Sequence, residues 1–281
     1  MAGNLIISGC SSGIGRACAL HFASSGYRVF ACVRKEADAA SLRAADPSGN
    51  LEPLLLDVTD AAQLASVAAE LSGRLGQQGL AGLVNNAGVG NGGPLEFQDP
   101  DEVRHTFEVN VMGPLRLSQT FLPLLRTAQG RIINIGSMAG KVVIPMNGSY
   151  SISKFGLEAF SDALRQELQP HGVRVALVEP GPIATPMISG AQQQGDQHME
   201  RLPPQARQYY GARMTKLLAQ LEQMERQAAP PAVVVKAVEH ALEAVKPKTR
   251  YLVTREARAL VFLRWLLPDR ALDFLLAKMI A

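Results

Sequence analysis

No uninterrupted apolar run in this chain of 281 residues reaches the ~18 positions that a membrane-spanning helix needs, so no spanning segment is expected. Cysteine is scarce. Cys10, Cys18 and Cys32 are the three, all within the first 32 residues, with no CxxC pair and no histidine spacing that suggests a metal site. Neither a disulfide framework nor a bound metal is expected, and the pattern fits a reducing compartment. The opening Met-Ala-Gly-Asn runs straight into Leu5-Ile-Ile-Ser8, without the basic region and longer apolar core of a secretion signal, so a cytoplasmic protein is expected. Linkers, internal repeats and low-complexity segments are missing too, which favours one domain over 1–281. A large net charge is also lacking, and +3 gives no reason to expect a nucleic-acid partner. That charge is unevenly spread: residues 246–281 hold eight Lys or Arg against three Asp or Glu. Such a surface is either a solvated helix face or the side that meets an anionic partner.

Apolar residues are abundant, at 47% against 19% charged, enough for a large core. Over the first 180 residues, short apolar runs alternate with longer helical patterns, the signature of repeated strand–helix–strand units and a parallel sheet. Strands are expected at 4–8, 28–33, 53–56, 81–85, 131–136 and 173–179, and helices at 14–25, 60–75, 101–127 and 149–170. A helix over 231–245 precedes a seventh strand at 250–254. The fold class is therefore α/β, a Rossmann-like doubly wound parallel sheet of about seven strands in a single domain.

Two segments leave the alternation. Residues 186–230 read as a polar insertion broken by Gln192-Gln193-Gln194-Gly195, Pro203-Pro204 and Pro230-Pro231 around a helical pattern over 205–228, in the manner of a lid or substrate loop. Residues 255–281 form a tail in which Leu260-Val-Phe-Leu263 and Trp265-Leu-Leu267 are punctuated by Arg258, Arg264 and Arg270. The tail can pack on the domain, line a lipophilic entrance or rest on a membrane surface, and packing is favoured.

Gly9-Cys-Ser-Ser-Gly13-Ile-Gly15 follows the first strand and opens the first helix, where a dinucleotide pyrophosphate sits in a doubly wound sheet. Gly9, Ser11, Ser12, Gly13, Ile14 and Gly15 are the candidate binding residues, with a merely structural turn as the alternative. At the end of the second strand an acid would bind a ribose 2′-OH and repel a 2′-phosphate. Ala31-Cys-Val33-Arg34-Lys35 has no acid there, and the Arg34 fork suits a phosphate. NADP(H) is favoured, with NAD(H) as the alternative.

Tyr150-Ser-Ile-Ser-Lys154 places a phenol and an ammonium one helical turn apart on one face. A nearby cation stabilises a phenolate and lowers its pKa, which suits proton transfer, although an amphipathic helix edge shows the same spacing. Ser137 ends the apolar strand Arg131-Ile-Ile-Asn-Ile-Gly136, so its hydroxyl is expected at the carboxyl edge of the sheet, where ligands bind. Asn110, beside Val-Met-Gly113 in a helical stretch, is a poor helix residue and marks a local kink.

Taken in order, the glycine loop, Asp57-Val58, Asn85-Asn-Ala-Gly88, Asn110, Ser137, Tyr150 with Lys154, and Pro180-Gly-Pro-Ile-Ala-Thr185 resemble the short-chain dehydrogenase/reductase family, single-domain branch. The resemblance implies that Asp57 and Val58 hold the adenine and that Asn86, Ala87 and Gly88 flank the ribose. It also implies that Pro180, Gly181, Ile183 and Thr185 embrace the nicotinamide. Ser137, Tyr150, Lys154 and Asn110 would be the catalytic set, with Lys154 bonding the nicotinamide ribose and Asn110 anchoring a water. A homodimer or homotetramer is implied, paired through the helices that carry Asn110 and Tyr150. The insertion and Lys246-Pro-Lys-Thr-Arg-Tyr251 are similar to 17β-hydroxysteroid and retinol dehydrogenases, implying a lipophilic carbonyl or alcohol substrate such as a steroid, retinoid or long-chain aldehyde or ketone. His198 lies too early to match a steroid-anchoring histidine. A non-catalytic dinucleotide-binding regulator and a nucleotide-sugar epimerase are the competing readings.

Overall fold

Alternating apolar residues on short, buried strands set the architecture. In β1 (Asn4–Ile7), Leu5 and Ile7 point to one side of the sheet and Ile6 to the other, and all three are fully buried. A computed structural model describes residues 2–279, with the side chains of 191–194, 196–198, 201 and 279 outside the described set. The side chains of the glutamines at 192–194 and of His198, and the tail's last two residues, therefore lie outside the described residues. β1 is followed by α1 (Gly13–Ser24), β2 (Arg28–Val33), α2 (Glu36–Ala45), β3 (Leu51–Leu55), α3 (Ala61–Leu75) and β4 (Gly82–Asn85). Next come α4 (Pro100–Phe107), α5 (Gly113–Ala128), β5 (Arg131–Ile135), α6 (Gly148–Leu168), β6 (Arg174–Pro180), α7 (Pro186–Arg201) and α8 (Pro204–Gln227). The chain ends with α9 (Ala232–Glu243), β7 (Arg250–Val253), α10 (Arg255–Leu266) and α11 (Asp269–Met279).

The strands form one parallel seven-stranded sheet in the order β3-β2-β1-β4-β5-β6-β7. Phe22 of α1 and Val234 and Val238 of α9 pack with Leu5, Ile7 and Val178 on one face. Leu71 of α3 and Leu117 and Phe121 of α5 pack with Ile6, Leu83 and Ile132 on the other. The order reverses direction between β1 and β4, which opens a crevice at the carboxyl ends of those strands. Cys18 and Cys32 are buried thiols whose pKa burial pushes up to about 12, so neither is a ready nucleophile.

Three local differences from the sequence reading have physical reasons. The expected helix over 101–127 is α4 and α5 joined by a π-turn at Glu108–Met112, which re-registers the hydrogen bonds around Asn110. Glu36–Ala45 is a helix that the sequence reading left unassigned; Glu36 and Asp38 in its first turn suit the helix dipole. Residues 186–201 are helical rather than broken. Gly195 works there as a contact point, since a Cβ on it would sit 2.3 Å from Leu218 Cδ2 of α8. Among the described residues, no helix is long and apolar enough to cross a membrane.

Candidate active site

The first element of the site is the junction of β1 and α1. Ser12 caps α1 in an extended conformation and makes no side-chain bond to its first turn, leaving those N–H groups for an external acceptor. The loop is fixed from behind. The Ser8 hydroxyl accepts from the backbone N–H groups of Asn86 and Ala87, both at 3.0 Å. Asn86 Nδ2 donates to the Ser8 and Gly9 carbonyls at 2.9 and 3.0 Å. A Cβ at Gly15 would lie 2.2 Å from the Gly9 carbonyl oxygen and 2.4 Å from Asn86 Nδ2, so no larger residue fits without moving backbone. Asn86 therefore braces the glycine loop with its own carboxamide. This free helix N-terminus with a close-packed backbone cradle fits a dinucleotide pyrophosphate.

Beyond β2 and β3 lie the groups facing the adenosine end. Asp57 accepts from Thr59 N–H at 2.9 Å and Thr59 Oγ1 at 2.7 Å; these bonds outweigh burial and hold its carboxyl below the usual range. Arg34 is 65% exposed and approaches Asp57 Oδ2 at 3.9 Å. Val58 is buried against Gly113, where a Cβ would meet it at 2.8 Å.

Ser137 leaves the end of β5 and accepts from Ala139 N–H at 3.1 Å, capping a short turn over Met138–Gly140. Tyr150 and Lys154 lie one turn apart near the start of α6. Lys154 is 5% exposed; its Nζ donates to the Ile135 carbonyl at 2.9 Å and lies 5.5 Å from the Tyr150 ring centroid. Burial pushes the Lys154 amine down to about 8. Burial also raises the Tyr150 phenol, and a hydrogen bond with Ser137 pulls it part of the way back. The expected lowering of the phenol by the Lys154 charge is thus replaced by a raised phenol: burial shifts both groups toward their neutral forms, and for Tyr150 it outweighs the Ser137 hydrogen bond.

Asn110 is buried under the π-turn rather than on the surface. Its Oδ1 accepts from Val89 N–H at 2.9 Å, and its Nδ2 donates to the Val89 carbonyl at 2.8 Å and to Ser153 Oγ at 2.9 Å. The carboxamide hydrogens are spent on protein, so anchoring a water does not fall to them. The side chain pins the loop after β4 to α6.

A cavity of about 1160 Å³ joins these elements. That exceeds the ~300–1,000 Å³ of an ordinary small-molecule pocket and has room for a dinucleotide and a second molecule. Its wall includes Gly9, Ser11, Ser12, Gly13, Ile14, Arg34, Asp57, Val58, Asn86, Ala87, Gly88, Ser137, Tyr150, Lys154, Pro180, Gly181, Ile183 and Thr185. Gly15 and Asn110 were expected beside them but stand behind that wall. Met187, Met214, Leu218, Leu221, Met224 and Leu263 from α7, α8 and α10 add an apolar patch to the wall, interrupted there by Gln220, Gln227 and Glu256. Among the described residues, no cluster of His, Cys, Asp and Glu could hold a metal ion.

Sequence reasoning missed the supports. Asn85 Nδ2 donates to Asn134 Oδ1 at 2.8 Å, Asn134 Nδ2 to Ser161 Oγ at 2.8 Å, and Ser161 Oγ to the Leu157 carbonyl at 2.6 Å. This chain runs fully buried from β4 through β5 to α6. A polar Asn134 inside Ile-Ile-Asn-Ile was its signal, because a buried amide in a strand demands partners. Ser8, before the glycine loop, was equally readable as an apolar strand ending on a hydroxyl.

Fold and site together define an NAD(P)-dependent oxidoreductase acting on CH–OH donors. The sequence model of the short chain dehydrogenase family matches residues 4–196. The chain belongs to that family. It is 38% identical to retinol dehydrogenase 5 of Mus musculus over 278 residues, covering 97% of this chain and 87% of that protein. It is also 38% identical to the mitochondrial D-beta-hydroxybutyrate dehydrogenase of Bos taurus over 259 residues, covering 88% and 75%. Among solved structures, a short chain dehydrogenase from Burkholderia cenocepacia in complex with NADP superposes with TM-score 0.73 at 27% identity, covering 99% of this chain and 98% of that one. A short chain dehydrogenase/reductase from Burkholderia phymatum in complex with NAD gives TM-score 0.78 at 25% identity, covering 96% and 95%.

Proposed function

We propose that this enzyme interconverts a carbonyl and an alcohol on an apolar substrate with NADP(H), using Tyr150 as the acid and base. One observation carries this reading: Ser137 and Tyr150 share a cavity whose walls are the free N-terminus of α1 in one part and methionine and leucine side chains in another. Bound nicotinamide supplies a hydride to the carbonyl carbon. Tyr150 gives its phenolic proton to the substrate oxygen, and in oxidation it takes that proton back. Ser137 donates a hydrogen bond to the same oxygen, holding it in line with the phenol. Proton transfer positioned in this way contributes roughly 10²–10⁴ in rate. Lys154, fastened by the Ile135 carbonyl, carries its charge below about pH 8 and then favours the phenolate left after proton donation. By family resemblance it also bonds the nicotinamide ribose and Asn110 belongs to the catalytic set as the anchor of a water; the contacts of the Asn110 side chain support a brace for the loop at Val89.

Arg34 supports NADP(H). Its pairing with Asp57 is long and exposed, and such a pair is worth only ~0–1 kcal/mol, so the guanidinium turns to a 2′-phosphate at small cost. Lys35 adds a second cation, and the tip of β2 itself, Ala31-Cys-Val33, carries no acid. The relatives solved with NADP and with NAD support the nucleotide site but not the choice. The apolar wall supports a retinoid, a steroid or a long-chain aldehyde or ketone over a small polar hydroxy acid. Phe107, Ile152 and Phe155, exposed on α4 and α6, support pairing with a second copy through that face.

The test is a Tyr150→Phe variant assayed at the reduced-nicotinamide band with retinoids, steroids, long-chain aldehydes and a small hydroxy acid. NADPH binding should be unchanged within a few-fold and turnover should fall by at least ~10². Undiminished turnover would sink the assignment of Tyr150, and activity confined to the small hydroxy acid would sink the apolar substrate.

A further inference from the structure

The tail packs on the domain, but only with its inner face. Leu272 and Leu276 of α11 are buried against Val142, and Leu260 and Leu267 pack beside them. Leu260, Leu263 and Leu276 also line the cavity. The outer face is different. Arg255, Arg258, Ala259, Phe262, Trp265 and Leu266 follow one another at helical spacing along α10, and all are exposed. Phe262 is 57% exposed, Trp265 79% and Leu266 57%, and the two aromatic rings lie 6.0 Å apart. On α11, Phe274 is 63% exposed with Lys278 Nζ 4.5 Å from its ring centroid, and Arg270 stands one turn before it.

We propose that α10 and α11 seat the enzyme on an anionic phospholipid surface, with Phe262, Trp265, Leu266 and Phe274 entering the headgroup boundary. Arg255, Arg258, Arg270 and Lys278 meet the lipid phosphates. Aromatic side chains flanked by cations are what a helix lying in the interface plane presents to lipid. Charge argues against a second copy of the chain as occupant. A two-fold contact through this patch would bring the same basic rim against itself, in a region holding eight cations to three anions. Position adds a consequence. Ala259 is both exposed on the outer stripe and part of the cavity wall, so the docked face and the edge of the cavity are contiguous. An apolar substrate would then pass from acyl chains to cavity without crossing bulk water. That passage rests on the proposed function, whereas the docking itself does not.

Trp265 is the only tryptophan in the chain, so its emission reports the patch directly and needs no turnover. The full chain is titrated with phosphatidylcholine vesicles, with and without about a third phosphatidylglycerol, alongside co-sedimentation. The expected result is a blue-shifted, brighter emission with the anionic vesicles, reversed by raising salt to about 0.5 M, where the Debye length falls to about 4 Å. A Phe262→Ser/Phe274→Ser variant keeps Trp265 as probe and leaves the cavity wall intact. It should lose at least about tenfold in vesicle affinity while its thermal melt is unchanged, since burying each ring contributes roughly one decade or more. Unshifted emission and no sedimentation with anionic vesicles would overturn the proposal. So would a variant that binds as tightly as the parent. A blue shift that grows with protein concentration in vesicle-free buffer, together with a doubled mass, would assign the patch to a second copy instead.

Discussion

Glu179 should make the protein less stable as pH rises from acid to mildly alkaline. It ends its carboxylate on no hydrogen bond to an N–H: both of its oxygens, and Oε1 of Glu158, are buried without a donor. A proton on Glu179 donated to Glu158 gives two of these three oxygens a partner. Burial is the larger cause of the raised pKa of Glu179, followed by the Glu158 carboxyl, while Lys141 at 3.5 Å and Arg250 pull against them; the result is about 8 against an ordinary 4.5. The folded state thus keeps a proton that the unfolded chain gives up across that window. Its stabilising share is full below about 4.5 and is lost as pH rises toward about 8. Between about pH 5.5 and about pH 8.5 the linkage amounts to ~3 kcal/mol. Urea melts at those two pH values should show the loss in the parent, and Glu179→Gln, which keeps the shape without the titration, should flatten it. An equal loss in the variant would show that the buried acid pair is not the titrating unit. Activity should follow stability at the alkaline end, because Lys141 lies just past the Ser137 turn and Glu179 directly precedes Pro180.

Gly15→Ala should abolish measurable NADPH binding, read by nicotinamide fluorescence, since its Cβ would overlap the Gly9 carbonyl at 2.2 Å; near-parent binding would mean that the loop is not the pyrophosphate cradle. Arg34→Asp should move the NADPH-to-NADH preference in kcat/KM by about tenfold or more, from the ~1.5–3 kcal/mol of a charged hydrogen bond, and an unchanged ratio would remove Arg34 from the 2′-phosphate site. Asn134→Ala should cost about 1–3 kcal/mol in urea melts by leaving Asn85 Nδ2 only its long 3.4 Å contact to Ser118, and a neutral effect would show that water replaces the amide.

Period and punctuation carried most of the sheet. The inner strands β1, β2, β4, β5 and β6 are short runs dominated by buried apolar residues, and such runs can be read without partners. The glycine loop, Ser137, Tyr150 and Lys154 were legible for the same reason: each lies at a strand end or on the first turns of a helix, where local pattern fixes position. What could not be read is what depends on distant neighbours. Gly195 looked like a breaker because its reason for being glycine, Leu218, sits on the next helix. The direction of the Tyr150 shift needed burial, which spacing does not supply. Asn110 was recognised by its place in the motif, but only the π-turn shows that its amide is committed to Val89 and Ser153.

On the proposed function, chemistry and selectivity would occupy different parts of this chain, and the division follows the physics of the sheet. Ser137, Tyr150 and Lys154 stand on elements locked by buried polar chains, Asn85 through Ser161 behind β5 and Lys141 with Glu158 at 2.5 Å beside α6. Positioned proton transfer needs that rigidity, because a displaced hydroxyl loses its rate advantage steeply. The apolar wall needs no such precision: Ile144 and Met146 before α6 contribute to it, and Met187, Met214, Leu218, Leu221, Met224, Leu263 and Leu276 extend it on α7, α8, α10 and α11. The match to the short chain dehydrogenase family ends at residue 196, close to where that extension begins. Hydrophobic contacts discriminate by only ~1–3 kcal/mol per methylene, so on the proposed function substrate choice would rest on the summed shape of those helices rather than on any one side chain. Grafting residues 186–230 from a relative of different specificity should therefore move substrate preference while leaving nucleotide affinity in place.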